Sequence, residues 1–476
     1  LLRLQFQAAT ILLGCHPDSV ALSNYFEDKI DLIKNFMFLL RTGPGSLDYR
    51  PETVDIDIRL LACQCLEAIV GSRDHSSTPI FTRYPWIVQD LGLNRGQYMG
   101  LLPCMVRAMT SYLVSLDSGS GAASTASEEE PGAEESKMHV EDSSSAVAKR
   151  TDESPEEQET RLVWIEHVFM LLIAIVNITA ALPALTDNGL VGSILLVLER
   201  LDLSNRSTTM MFVEVMCIEI LESSVTSHPP AMVSFKEKNG MEVVINRLHR
   251  ELVDCLVDHP TDVVALPQES YSATRATSGS LSVASSIIIQ EFFSLLTSVL
   301  QEDRSPASDH GQWYKLPALT QSLKLIFVNA HAVGSLILSP AVSLLSEIIN
   351  SDAAPPTILS YMISSGVCKE ALLVLTGKIA EGDQIVPAAE LPSGPITFSG
   401  DLILSLVGMM SSLSLTADGI ALVTAVSPFK AVFSVFTDAR YVYPQSRVVM
   451  SDLPNLLGSN LEELIRHYPT YANVII

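Results

Sequence analysis

A glycine junction recurs along this chain, and it limits the fold more than any other feature. A short apolar stretch runs into a glycine, and a longer apolar stretch follows. The pattern reads Ala181-LPALTDN-Gly189-LVGSILLVL, Ala231-MVSFKEKN-Gly240-MEVVINRL, Pro356-TILSYMISS-Gly366-VCKEALLVL and Leu413-SLTAD-Gly419-IALVTAV, with an earlier variant in Leu91-GLNRGQYM-Gly100-LLPCMV. A helix ending in a tight turn favours a left-handed residue, a conformation glycine adopts without a Cβ penalty. The four later glycines are spaced by 51, 126 and 53 residues (189 to 240, 240 to 366, 366 to 419). Helical repeats of the armadillo and HEAT type run roughly 40–47 residues, so the long gap leaves room for two or three units. A third, longer apolar segment follows each pair, as 208–223 follows Gly189.

The segments between the junctions have the period of helices. Asp55–Val70 places Ile56, Leu60, Cys63, Leu66 and Val70 along one face at i, i+3 and i+4 spacing. Residues 285–300 and 401–413 read alike, several segments are apolar nearly all round, and no clean period-2 alternation is found. Helices covered by neighbours on two sides have this character. With 47% hydrophobic and 18% charged residues, the chain is rich enough to build such a stack. The expected fold is therefore all-α, an armadillo/HEAT-like helical solenoid. One alternative competes locally. Val168–Thr186 (VFMLLIAIVNITAALPALT) has the apolarity of a single membrane span, although Asn177 and Pro183 interrupt it and no Lys/Arg cluster flanks it.

Charge is distributed unevenly. The chain carries a formal net charge of −24, and 117–160 holds 13 acids against 3 bases. That stretch is rich in Ser, Gly and Ala and is expected to be a disordered acidic insert, because it buries too little to offset its ordering entropy. A shorter polar stretch, 258–280, reads as a second loop. The acidity argues against nucleic acid as a direct partner, since phosphates are neutralised by Lys and Arg, and it permits basic proteins. The seven cysteines (Cys15, Cys63, Cys65, Cys104, Cys217, Cys255, Cys368) are odd in number, and all but Cys15 lie in apolar helical patterns. They read as reduced thiols of a cytoplasmic or nuclear protein.

Residues able to carry chemistry are sparse. Gly377-Lys378 lacks the remainder of a phosphate loop, and neither a G-x-S-x-G elbow nor an H-E-x-x-H motif occurs. Cys63 and Cys65, two apart on a helix, point about 200° away from each other and cannot share a metal. Cys255 and His259 are i, i+4 and lie near His249 and Asp254, yet no further ligands stand beside them. No catalytic residue, metal or cofactor is expected. Asn177 is the single candidate binding residue. It occupies the slot where armadillo repeats carry a peptide-gripping asparagine, but the corresponding ends ILESSV and MMSSLS have none, and Asn350 in EIINSD is displaced. The alternative role for Asn177 is a hydrogen bond to a neighbouring inter-repeat loop.

Six segments in colinear order carry a family resemblance. They are Tyr98-MGLLPCMVRAM, Phe235-KEKNGMEVVINRLHREL, Val333-GSLILSPAVSLLSEII with Ser364-SGVCKEALLVL, Ser412-LSLTADGIALVTAVSPFKAVFSVFTDARYV, and Gly458-SNLEELIRHYPT. Phe433, Phe436, Tyr441, Leu461, Glu463, Leu464, Arg466, His467 and Pro469 all fall in place. The chain resembles the amino-terminal armadillo-like region of the giant HECT-type ubiquitin ligases of the Mule and Tom-one kind. The resemblance implies that 1–116 is the tail of a first amino-terminal domain and 161–476 a second, with 117–160 as an acidic linker between them. It also implies a longer protein, consistent with Leu1 and the apolar end Asn473-Val-Ile-Ile476 being cuts, whose catalytic domain lies elsewhere. The expected role is a non-catalytic scaffold that recruits protein substrates and contacts other domains of the same ligase. An armadillo-type adaptor or nuclear-transport-like peptide binder is the alternative.

Overall fold

The computed structural model describes Phe36, Leu39 and residues 56–71, 155–187, 189–201, 207–256, 281–302, 312–350, 356–376, 378–381, 384–387, 400–434, 436 and 453–472. The chain divides into two compact units, Leu1–Val213 and Glu214–Ile476, the division falling inside one long helix. Among the described residues the fold is all-α apart from one short hairpin.

In the first unit α1 (Ile56–Gly71) packs on α2 (Pro155–Val176). Both Cys63 and Cys65 are fully buried, so α1 is covered on opposite sides and not along one face alone. His167 of α2 ties the pair, with Gln64 Nε2 at 3.0 Å and Glu67 Oε2 at 3.1 Å, while the Arg59 guanidinium lies 4.8 Å from the Trp164 ring centroid. The start of α2 corrects the expected linker boundary. Helix begins at Pro155, inside the stretch assigned to the insert, and 117–154 lies outside the described residues. The sequence Ser154-Pro155-Glu156-Glu157 contains the reason: proline suits the first helical turn, and carboxylates there face the positive end of the helix dipole.

The apolar run 168–186 is not one helix, which removes the single-span alternative for it. Helix α2 stops at Val176, Ile178 takes an extended conformation, a 3₁₀ turn follows at Thr179–Ala181, and α3 spans Leu182–Asp187. Val168, Phe169, Leu172, Ile175, Leu182 and Leu185 are buried, so the run is apolar because it is packed. Two other helices, α8 and most of α10 below, are long and apolar enough to cross a membrane by length and composition. Both pack against neighbouring helices of the second unit. Helix α4 (Leu190–Arg200) completes the unit, with Leu190, Val191, Ile194 and Leu198 turned inward.

Helix α5 (Thr208–Ser227) carries the division between units. The second unit continues with α6 (Pro229–Glu237), α7 (Gly240–Leu256), α8 (Val283–Glu302), α9 (Pro317–Val328), α10 (Ala330–Asn350), α11 (Pro356–Ser364), α12 (Val367–Thr376), α13 (Gly400–Leu413), α14 (Ala417–Val426), α15 (Phe429–Ser434) and α16 (Leu453–His467). They form two rows. In one, α7 packs on α9 and α9 on α12; in the other, α8 packs on α10, α10 on α13 and α13 on α16. The order is a short helix, a second helix and a long third helix, repeated: α6–α7–α8, α11–α12–α13, α14–α15–α16. Between Gly240 and Gly366 the described residues hold one further triplet where two or three units had room. Its first helix is reduced to a 3₁₀ turn, Gln312–Lys315, ahead of α9 and α10. Proline 317 opens α9 directly, so this triplet carries no junction glycine.

The junction glycines serve two different physical ends. Gly189 and Gly366 take the left-handed conformation, at φ 78° and 82°. At the second junction Asn239 takes it instead, at φ 54°, and Gly240 is glycine because a Cβ there would run into the Phe235 ring. Gly419 lies within α14, where a Cβ would strike the Leu413 carbonyl; its N–H donates to the capping Oγ1 of Thr416 at 3.2 Å. A third left-handed glycine, Gly334 at φ 69°, kinks α10 and separates its first turn from the long segment behind it. Among the described residues the one departure from all-α architecture is an antiparallel hairpin, Lys378–Glu381 with Gln384–Pro387, paired from Lys378↔Pro387 to Glu381↔Gln384. Its connection in sequence is Gly382-Asp383, a two-residue hairpin signal that the helical periodicity around it obscures.

Candidate functional site

Asn177 is solvent-exposed just beyond the end of α2, its backbone N–H donating to the Ile173 carbonyl at 3.1 Å. Asn350 is likewise exposed at the last position of α10, and its Nδ2 donates to Ser346 Oγ at 3.2 Å.

The thiols and the histidine near them face the interior. Cys63, Cys217 and Cys368 are buried, and burial pushes each thiol above its usual range, Cys368 to about 12. A thiol held protonated and covered is a poor nucleophile. Cys255 is only half-buried, with Sγ 4.0 Å from Glu251 Oε1 on the same helix. His249 turns to α9, where its Nδ1 meets Ser322 Oγ at 3.2 Å. Because that hydroxyl donates to the Ala318 carbonyl at 2.6 Å, its oxygen accepts from His249 Nδ1–H. Burial pushes the imidazole down to about 4, so it is neutral at pH 7. His249 and Cys255 therefore point to different partners, and among the described residues no group of three His, Cys, Asp or Glu could hold a metal. His259 lies outside the described residues.

Two charged arrangements were not found from the sequence. Arg247 of α7 reaches Glu214 of α5 through Nε–Oε1 at 2.8 Å and Nη2–Oε2 at 3.0 Å, with both side chains 1% exposed. The other is acidic. Glu222 of α5 accepts from Ser294 Oγ at 2.9 Å and Ser298 Oγ at 2.6 Å of α8. Glu219 and Glu291 stand close by. Their carboxyls are pushed up by partial burial, by Glu222, and for Glu291 also by Glu219. The available signal was the spacing of Glu219 and Glu222 on an otherwise apolar helix. What the spacing lacked was the neighbour across the row.

Comparison with known proteins agrees with the residues quoted above. Residues 215–476 match the family described as Domain of Unknown Function (DUF913), which is 262 of the 476 residues. The chain is 20% identical over 311 residues to the E3 ubiquitin-protein ligase UPL2 of Arabidopsis thaliana, covering 64% of this chain and 8% of the relative. It is 21% identical over 310 residues to the ligase UPL1 of the same plant, again 64% and 8%. Against the E3 ubiquitin-protein ligase HUWE1 of Mus musculus it is 23% identical over 312 residues, 64% of this chain and 7% of the relative. The chain thus spans less than a tenth of the length of these relatives. A solved engineered protein aligns over 97% of this chain and 95% of its own at 12% identity, with a TM-score of 0.34. The resemblance to the amino-terminal region of giant HECT-type ligases is borne out.

Proposed function

The chain belongs to the DUF913 family, and on that premise we propose that it is a non-catalytic scaffold and substrate-recruitment solenoid of a HECT-type ubiquitin ligase. The observation that carries this reading is the pair of stacked helix rows, joined to relatives that are ubiquitin-protein ligases. An open stack exposes a long surface for its mass, which suits holding a partner better than enclosing a reaction. The repeated triplet of two shorter helices and a long third supports an armadillo-like unit. Buried, protonated thiols support a segment that positions substrates and passes ubiquitin transfer to a domain elsewhere. Partners on this reading are protein substrates, basic ones included, and other domains of the same ligase. The compartment is cytoplasmic or nuclear, and the acidic stretch 117–154 steers cationic partners by long-range attraction.

The test uses the full-length ligase with and without this region, given ubiquitin, activating and conjugating enzymes and ATP. The expected result is that thioester formation persists while transfer to a bound substrate falls. Equal substrate transfer with and without the region would overturn the recruitment role.

A further inference from the structure

The two rows of the second unit differ in charge. Helices α5, α8, α10 and α13 contain no lysine and no arginine, α16 at the end of their row carries Arg466, and Arg247 and Arg250 of α7, Lys324 of α9 and Lys369 of α12 lie in the opposite row. Each long helix is buried on its sides and back and shows one narrow stripe to solvent. On α8 that stripe runs from Val283 and Ile287 through Glu291, Ser294 and Ser298 to Gln301, at intervals of three and four residues.

Helices α8 and α10 run parallel. Leu281 N–H bonds the Ala332 carbonyl at 3.4 Å near their beginnings, and Gln301 Nε2 bonds Glu347 Oε1 at 3.4 Å near their ends. Their exposed stripes are therefore graded in the same direction. At the first end Val283, Ile287 and Leu336 are 78%, 43% and 54% exposed. Toward the other end stand Glu291 and Glu347, with Glu222 pinned beside them by the two serines. Among the described residues no ion pair neutralises Glu219, Glu222, Glu291 or Glu347. Pro340, within α10, has no N–H to give to the Leu336 carbonyl, which leaves an acceptor on the same stripe.

We propose that this cation-free face of α8 and α10 docks a lysine- or arginine-rich segment of a partner protein. An apolar side chain of that segment sits on Ile287 and Leu336, and its cations sit against Glu291, Glu222 and Glu347. Charge complementarity selects this occupant. A second copy of the chain carries −24 and is repelled, and the chain's own 117–160 stretch, with 13 acids against 3 bases, is repelled as well. Desolvated carboxylates without a counter-cation gain more from an arriving ammonium or guanidinium than solvated ones do.

The proposal deepens the recruitment reading, and the identity of the partner as a substrate rests on it. The surface itself is testable without any ligase activity. The probe is a fluorescein-labelled lysine-rich peptide carrying leucines, titrated with the chain and followed by anisotropy at low and high salt. The comparison set is Ile287→Gln/Leu336→Gln, Glu291→Gln/Glu347→Gln and a chain lacking 117–154, each checked for helicity by circular dichroism. Salt-sensitive binding, weakened at least about tenfold in both double variants and retained without 117–154, is the expected result. No binding, or loss confined to the 117–154 deletion with both double variants like wild type, overturns the proposal. If the peptide responds as expected while the same variants leave substrate transfer by the full-length ligase unchanged, the docking surface stands and the recruitment role falls.

Discussion

Arg247 and Glu214 face each other as a two-pronged ion pair, at 2.8 and 3.0 Å, in a place where neither side chain reaches water. Such a pair is costly to break and cheap to replace, because removing one partner strands the other charge in the interior. Arg247→Ala is expected to destabilise the second unit by about 3–5 kcal/mol, while Arg247→Met with Glu214→Leu stays near wild type. Chemical denaturation of the three proteins checks this; a double variant as unstable as the single one would refute the charge-stranding account.

The junction glycines should separate by mechanism. Gly240→Ala must displace the Phe235 ring and is expected to cost about 1–3 kcal/mol. Gly366→Ala places a Cβ at φ 82° in ordinary contact with the Lys324 side chain, at 3.8 Å, and costs about 1–2 kcal/mol from backbone strain. Gly408, inside α13 with nothing within 4 Å of a Cβ, gives the opposite sign: Gly408→Ala stabilises by about 0.5–1 kcal/mol. Thermal midpoints rank the three.

His249 makes stability depend on pH in a known direction. Its folded pKa, about 4, lies below the ordinary 6.5, so the unfolded chain binds more protons between those values. Stability therefore rises with pH across this window and is lost as pH falls from 6.5 toward 4, on the order of 1–3 kcal/mol. Glu219 and Glu291 act oppositely, since raised carboxyls bind protons more tightly in the folded state and gain stability as pH falls. In His249→Gln the acid-side loss should shrink. An unchanged stability profile between pH 7 and 5 would exclude the histidine as its source.

Thiol labelling of the native chain should be selective. Among the described cysteines Cys255 is the half-buried one, whereas Cys63, Cys65, Cys217 and Cys368 are covered. Iodoacetamide at pH 8 is expected to modify Cys255 first and the others only after denaturant is added. For the same reason no reducible ubiquitin adduct should form on the covered four, as peptide mass mapping would show.

Deleting 117–154 should slow association with a cationic partner at low salt and leave dissociation nearly unchanged. Around 0.15 M salt the screening length is about 8 Å, so the difference should shrink as salt rises. Equal association rates at low salt would reduce the stretch to a linker. The deletion ends at 154 because helix begins at Pro155.

Much of the candidate surface was illegible for a definite reason. Ile287 and Leu336 look like core residues in a periodic apolar run, and only the packing of α8 on α10 decides that they face out. Glu222 is an ordinary helix carboxylate until Ser294 and Ser298, more than seventy positions away, close on it. Asn177 was singled out by its slot in a repeat, yet its exposure follows from the break after Val176.

The sequence by itself determined the helices, the glycine junctions and the family, because 3.6-residue periodicity and a missing Cβ act over a few residues at a time. It also determined the acidity, since net charge requires no fold. Only the tertiary structure decided how many triplets fill the gap from Gly240 to Gly366, which glycine serves a turn and which a close approach, and that the cation-free helices α8, α10 and α13 pack side by side. Those outcomes depend on neighbours brought together across tens of residues, as Phe235 meets Gly240 and Glu214 meets Arg247. Local propensity is blind to such contacts; packing fixes them because each buried charge or ring must find its one complementary space.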